Sequence, residues 1–402
     1  MKKLAPQIFA LGLVSFFMNS STIIVISLSP LYLTQIVGLT PSQLGLLDGL
    51  VEFFSWTSRL FAGFLCDKVL KRKKILLPAY ALIALSRPLL AMSSKFWVLA
   101  SARTMDRVGN GLGATAREAL VADTTDPEAR GSAYGLRQSM AVLGSLAGAI
   151  FLSMSLTSSP SDSLTSNYPT YFWISSLLAL ISFCCLVFFV HDYKSNNKKD
   201  KVTAKNITWS QVFQNVKELG LYHWIVIALS FISTLALFSS SFISIMAFKV
   251  TGNDSLMPKL MIAQNISCTF GSYYLGRLFH RLQHKSILFI GTLCLIIANI
   301  IFIFSQTEMH FLTGMIFWGI QISVAQVLWP TLLSQNTHLK NRGTVFGLFY
   351  VTSGVAFLLA NALFGKMYEM GSSPQALIVS SIVATIALFM TVISPLNKKH
   401  AI

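Results

Sequence analysis

The sequence predicts an all-α membrane protein: twelve transmembrane helices arranged as two parallel six-helix repeats. Three observations carry that reading. Hydrophobic residues make up 53% of the 402-residue chain and charged residues only 11%, against about 25% charged in an ordinary soluble domain. Apolar runs of bilayer-crossing length recur from one end of the chain to the other. Two short motifs recur at almost one offset, 213 and 212 residues.

The spans follow in order. A membrane helix needs about 20 mostly apolar residues, and such runs lie at 9–33, 43–66, 75–93, 97–118, 131–156, 170–190, 222–248, 257–279, 286–305, 310–333, 343–365 and 375–394. They are continuous, without the in-and-out alternation of a membrane β-barrel. The one long gap, 191–221, opens with a polar, Lys/Asn-rich linker over His191–Lys205. After it, Trp209, Val212, Phe213, Val216 and Leu219 fall at helical spacing and predict a short amphipathic helix on the inner face. The chain thus divides into a six-helix bundle at 1–190, a cytoplasmic linker at 191–221 and a second six-helix bundle at 222–402.

Net charge is +16, which by itself would suit nucleic acid. Its distribution argues otherwise. With the N-terminus in the cytoplasm, inner segments hold 22 Lys and Arg, including Lys71, Arg72, Lys73 and Lys74, whereas outer loops hold only Lys95, Lys249, Lys259 and Lys366. That bias places both termini in the cytoplasm, with anionic lipid contact as a by-product and no nucleic-acid partner. Met1–Gln7 does not read as a cleavable signal, since the following apolar run is too long and lacks a small-residue cleavage site. The five cysteines lie in or beside apolar runs without metal-like spacing, and the seven histidines form no ligand pair. No nucleotide-binding loop or nucleophile elbow is present. No metal, no cofactor and no enzymatic activity are expected, and the short tails argue against a sensor. The partners expected of this monomer are a small-molecule substrate, protons and lipid.

The repeats lie at the inner ends of the spans. Gly63-Phe-Leu65-Cys-Asp67-Lys68 is echoed by Gly276-Arg-Leu278-Phe-His280-Arg281, and Arg130-Gly131-Ser-Ala-Tyr-Gly135-Leu136 by Arg342-Gly343-Thr-Val-Phe-Gly347-Leu348. Both copies sit on the same side, so the halves are parallel, as in secondary transporters whose halves rock about a central site. At these residues the sequence resembles the major facilitator superfamily. The family's loop signature, Gly-x-Leu-x-Asp-Arg-x-Gly-Arg-Lys, appears from Gly63 to Arg72 with Leu70 at the second glycine. Its fourth-helix signature, Arg-x-x-Gln-Gly-x-Gly-Ala, appears as Arg107-Val-Gly109-Asn110-Gly111-Leu-Gly113-Ala114. The exporter signature Gly-x-x-x-Gly-Pro appears only as Gly144-x-x-x-Gly148-Ala149. Asp106-Arg107-Val-Gly109-Asn110-Gly111 and Arg117-Glu118-Ala119-Leu120 are similar to runs of one bacterial subgroup, and that resemblance implies a multi-pass protein of the bacterial inner membrane.

The resemblance implies that Asp67 latches the cytoplasmic side by pairing with a cation such as Arg130, with Arg72 in the same gate. It also implies that spans 1, 4, 7 and 10 line the substrate cavity. The embedded charges sharpen this, because an ionisable side chain deep in a bilayer is costly and marks a functional site by default. Arg59, Arg87, Arg103, Arg107 and Arg137, with Asp48, Glu52 and Asp106, all lie in the first half. Depth from the span ends puts Asp48, Arg87 and Arg103 in one layer and Glu52, Asp106 and Arg107 in a deeper one. Asp48 and Glu52 stand one helical turn apart, where ionising both at once is unfavourable. Glu52 is the favoured proton-coupling residue, Asp106 its rival and Asp48 a third candidate. Arginine forks suit carboxylate and phosphate, so Arg103, Arg107 and Asn110, with Asn19 on span 1, Ser240 on span 7 and Gln321 and Gln326 on span 10, are the candidate substrate contacts. Ser233, Thr234 and Ser323 add neutral polar groups, and Trp318, Trp329 and Tyr350 offer stacking area or ordinary packing. The expected function is a proton-coupled secondary transporter for a small polar anionic solute, of polycarboxylate or siderophore type. A broad multidrug exporter is the alternative. The glycines at 109, 111, 113, 144 and 148 are read as close helix contacts.

Overall fold

The computed structural model describes residues 6–68, 71–125, 130–157, 164–192, 216, 219–278, 283–335, 337, 342–371 and 373–394. All regular structure among them is helical. The helices are α1 (Pro6–Leu31), continued by a π-helical turn at Tyr32–Ile36, α2 (Pro41–Lys68), α3 (Lys73–Met92), α4 (Phe96–Thr124), α5 (Arg130–Thr157) and α6 (Leu164–Phe189). They continue with α7 (Leu221–Leu235), α8 (Ser240–Thr251), α9 (Leu256–Leu278), α10 (His284–Ile303), α11 (Glu308–Gln335), α12 (Arg342–Glu369) and α13 (Ser373–Ile393). Each predicted span coincides with helix, α7 and α8 together occupying the seventh. The amphipathic segment after 208 lies outside the described residues, apart from Val216 and the buried Leu219.

Nine helical segments, among the described residues, are long and apolar enough to cross a membrane by length and composition. The other three of spanning length are α2, α4 and α9. Their sequences explain it: α2 carries Asp48, Glu52 and Arg59, α4 carries Arg103, Asp106 and Arg107, and α9 carries Lys259, Gln264 and Asn265. Polar residues at such depth face protein rather than hydrocarbon, and Asp48 and Asp106 are both buried.

The described chain forms two compact units, Met1–Leu28 with Phe54–Thr208, and Ser29–Phe53 with Trp209–Ile402. In the first, α3 packs along α4 and α6; in the second, α10 packs along α11 and α13. These are equivalent pairs, so the sequence repeat is also a repeat of contacts.

Small residues hold the first unit together, as the glycine spacing predicts. A Cβ at Gly144 on α5 would lie 2.1 Å from the Phe16 carbonyl oxygen of α1, and one at Gly109 on α4 would lie 2.6 Å from the Ala79 oxygen of α3. Ser20 Oγ donates to the Gly144 carbonyl at 2.8 Å, and Ser21 and Ser175 pair their hydroxyls at 2.8 Å between α1 and α6. Without a hydrophobic drive between helices in lipid, such close backbone contact and hydroxyl bonding supply the cohesion. Gly144→Leu is expected to cost about 3 kcal/mol or more, since the clash is with backbone and cannot relax by rotamer change. A loss of the monodisperse peak in size-exclusion chromatography is the readout.

One predicted span is corrected. The run at 222–248 reads as continuous, but the helix stops at Leu235 and resumes at Ser240. Breaking a helix in a membrane exposes backbone groups that must find partners, and two tertiary contacts and one local turn supply them. The Ser239 amide donates to Asn361 Oδ1 at 2.7 Å, the Ala236 carbonyl accepts from Ser380 Oγ at 2.6 Å, and Leu237 N donates to Thr234 O at 3.0 Å. Asn299, fully buried on α10, donates to Ser380 Oγ at 3.0 Å and so backs that contact. Ser239 caps α8 by accepting from Ser241 N at 3.2 Å.

Candidate functional site

Two polar clusters occupy the helices at membrane depth, one in each unit. In the first unit, Arg87 on α3 is fully buried and donates Nη2 to Asp106 Oδ1 on α4 at 2.7 Å and to Thr22 Oγ1 on α1 at 3.0 Å. Its Nε and Nη1 are buried without a hydrogen-bond partner. This corrects the depth argument, which places Arg87 with Asp48 and Arg103. An arginine side chain reaches more than one helical turn of about 5.4 Å along the bundle, so Arg87 takes the acid of the deeper layer. Asp106 therefore neutralises a neighbour on α3, and the other flank of α4 carries Arg103, Arg107 and Asn110, each half-buried. Arg107 is close enough to Arg87 to act on it as a like charge. Asn19 on α1 is also half-buried and donates to its own helix, at Ser15 O, 2.8 Å.

Toward the C-terminal end of α4 in the same unit the arginines have local partners. Arg137 Nη2 on α5 pairs with Glu118 on α4 at 2.8 Å, and Arg117 Nη1 donates to Tyr80 Oη on α3 at 2.9 Å. Arg72 pairs through Nε with Asp123 at the end of α4, 3.0 Å away, and donates Nη1 to the Cys66 carbonyl. Both partners belong to the same half of the chain. The side chains of Asp67 and Arg130 lie outside the described residues, and so does the latch between them.

In the second unit, Asp48 on α2 is 3% exposed and accepts from Ser239 Oγ at 2.7 Å, at the N-terminus of α8. A helix N-terminus favours a carboxylate there. Close approach makes this possible: a Cβ at Gly45 would lie 2.3 Å from the Asn361 carbonyl oxygen, and one at Gly49 2.9 Å from Leu358 Cα. Glu52, one turn along α2, is half-buried. On α11, Gln321 is buried and Gln326 exposed, with Cys268 Sγ 3.8 Å from Gln326 Oε1. Ser240 is half-buried in the first turn of α8. Ser323, a polar candidate by type, is fully buried against Gly271 and donates to Ile320 O at 2.6 Å. Trp318 and Trp329 are core residues, 2% and 3% exposed. Trp318 packs on Phe238 at 4.6 Å between ring centroids, so the ordinary-packing reading holds for both tryptophans.

Sequence reasoning missed Ser239, Asn299, Asn361 and Tyr80. Asn299 and Asn361 had a usable signal: each is a lone carboxamide in an apolar run, and such residues bond across helices in lipid.

Comparison with known proteins agrees with this architecture. The sequence profile described as Major Facilitator Superfamily matches residues 9–361. An uncharacterized MFS-type transporter of Methanocaldococcus jannaschii is 26% identical over 401 residues, covering 96% of this chain and 94% of that protein. Among solved structures, a mutant of the nucleoside transporter NupG matches with a TM-score of 0.79 at 13% identity, covering 98% of this chain and 100% of that one. A D-xylose-proton symporter matches with a TM-score of 0.75 at 16% identity, covering 99% of each chain. At such identities these structures show a shared fold.

Proposed function

The chain belongs to the major facilitator superfamily and is a membrane transporter of that type rather than an enzyme; from that premise we propose that it moves a small anionic organic solute by proton-coupled secondary transport. The class we assign is a polycarboxylate metabolite or a carboxylate siderophore, carried across the inner membrane by alternating access. The observation that carries the reading is the cationic flank of α4. Arg103, Arg107 and Asn110 stand half-buried on one stripe, while the helix's nearest acid, Asp106, is engaged by Arg87. Guanidinium forks at that depth match the planar two-oxygen geometry of a carboxylate. Gln321, Gln326, Ser240 and Asn19 are assigned as neutral contacts to the remainder of the solute.

Proton coupling is assigned to Glu52, with Asp48 as its one-turn neighbour and Asp106 as the rival. A half-buried carboxylate beside a second acid can gain and lose a proton as solvent access changes. In this scheme the carboxylate takes up a proton in one state of access and gives it up in the other, in step with substrate binding and release. Asp67, Arg72 and Arg130 are assigned to the inner gate. We take the working form as a monomer of two six-helix halves, 1–190 and 222–402, with the 191–221 linker and both termini in the cytoplasm.

The test is transport in proteoliposomes under an imposed pH gradient, with carboxylates, siderophores, amino acids and lipophilic cations as candidates. Gradient-dependent counterflow with a polycarboxylate is the expected result. Activity with lipophilic cations alone would sink the proposal and favour a multidrug exporter. Glu52→Gln is expected to abolish accumulation driven by the pH gradient while leaving substrate exchange at equal pH within about twofold. Undiminished gradient-driven accumulation by that variant removes Glu52 from the coupling role.

A further inference from the structure

The second unit contains a small cleft at the C-terminal end of α7, distinct from the residues assigned above to coupling. It is lined by Ser233 and Thr234 of α7, Thr292 of α10 and Gln321 of α11, with Trp329 and Ala384 among its apolar walls. Its free space is about 10 Å³, room for one water-sized particle. Two oxygens at the cleft have no hydrogen-bond partner: Gln321 Oε1, on a side chain 5% exposed, and Ser233 Oγ. The carboxamide oxygen is seated there by Gly291 on α10, where any Cβ would lie 2.5 Å from it. Among the described residues, no charged side chain lines the space.

The polarity of this cleft has one sign. A helix ends in carbonyls that point beyond its last turn and carry the negative end of its dipole, and α7 ends here because the span is interrupted. To that end are added a carboxamide oxygen and the hydroxyl oxygens of Ser233 and Thr292, all able to turn lone pairs inward. A buried carboxamide oxygen without a donor is costly. A dehydrated monovalent cation is a partner for the two oxygens that lack one, and cages of neutral oxygens at half-helix ends are a known way to hold such an ion inside a membrane protein.

We infer that the Ser233–Thr292–Gln321 cleft is a binding site for a monovalent cation of sodium size, which stabilises the end of α7 next to its interruption. The inference shares Gln321 with the solute contacts proposed above but none of the residues assigned to proton coupling, and melting without substrate tests it apart from transport.

The test is thermal unfolding of the purified full-length protein in detergent, at constant ionic strength, in sodium, potassium or choline chloride. Sodium is expected to give a saturable upward shift in melting temperature of roughly 2 °C, with a smaller shift in potassium and none in choline. Gln321→Leu is expected to abolish the sodium response. Thr292→Val, which keeps side-chain shape, is expected to raise the half-saturating sodium concentration about tenfold and serves where Gln321→Leu does not fold. Identical melting in the three salts would show that the cleft holds water, and overturns the inference. So does a sodium response that Gln321→Leu and Thr292→Val both leave unchanged.

Discussion

Arg87→Met is expected to remove most of the folded protein, and Arg87→Met combined with Asp106→Leu is expected to bring it back. Arg87 is fully buried and Asp106 is 4% exposed, so deleting the cation leaves a buried carboxylate with its partner gone. Breaking one side of a buried pair typically costs ~3–5 kcal/mol, whereas replacing both sides by apolar groups of similar volume is often neutral. Thr22 Oγ1 also loses the donor it accepts from at 3.0 Å, but it can turn to its own helix. Yield of monodisperse protein and its melting temperature are the measurements. The double variant separates two roles of the pair. With coupling assigned to Glu52, it is expected to retain uptake driven by a pH gradient. A double variant that folds fully yet shows no gradient-driven uptake would transfer the coupling role to Asp106.

Arg107→Gln is expected to raise the half-saturating concentration of an anionic substrate by about 10–150-fold while leaving folding near normal. The side chain is half-buried rather than enclosed, so truncation leaves no sealed cavity. A hydrogen bond to a charged group contributes ~1.5–3 kcal/mol, and each 1.4 kcal/mol is a factor of ten in affinity. Arg107→Lys keeps the charge but loses the fork, and is expected to fall between wild type and Arg107→Gln for a carboxylate. The corresponding neutral ester or amide of the substrate should respond to neither change. Equal loss for charged and neutral solutes would place Arg107 in structure rather than recognition.

The architecture was largely legible because hydropathy reports what a bilayer demands of each helix, one span at a time. The glycine contacts were legible for a similar reason: closely spaced small residues in a span have few uses other than letting backbones meet. The interruption of the seventh span was not. Its four residues, Ala236-Leu237-Phe238-Ser239, include neither glycine nor proline and are mostly apolar, so they read as helix. What stops the helix is outside the segment, in Asn361, Ser380 and Asn299. Pairing of the embedded charges was only half legible. Depth along a helix follows from counting, but it fixes Cα positions and not where a long side chain reaches, which is how Arg87 came to Asp106. Which oxygens lack partners, as at Gln321, is a property of packing that no spacing in the chain encodes.

The contact of Gly144 on the Phe16 carbonyl, with Ser20 bonded across at the next turn, leaves α1 and α5 no freedom to slide along each other. The pair behaves as a stiff lever. A tilt imposed on one end by cargo or by solvent is therefore carried toward the other, about 40 Å away for helices of 26 and 28 residues at about 1.5 Å per residue.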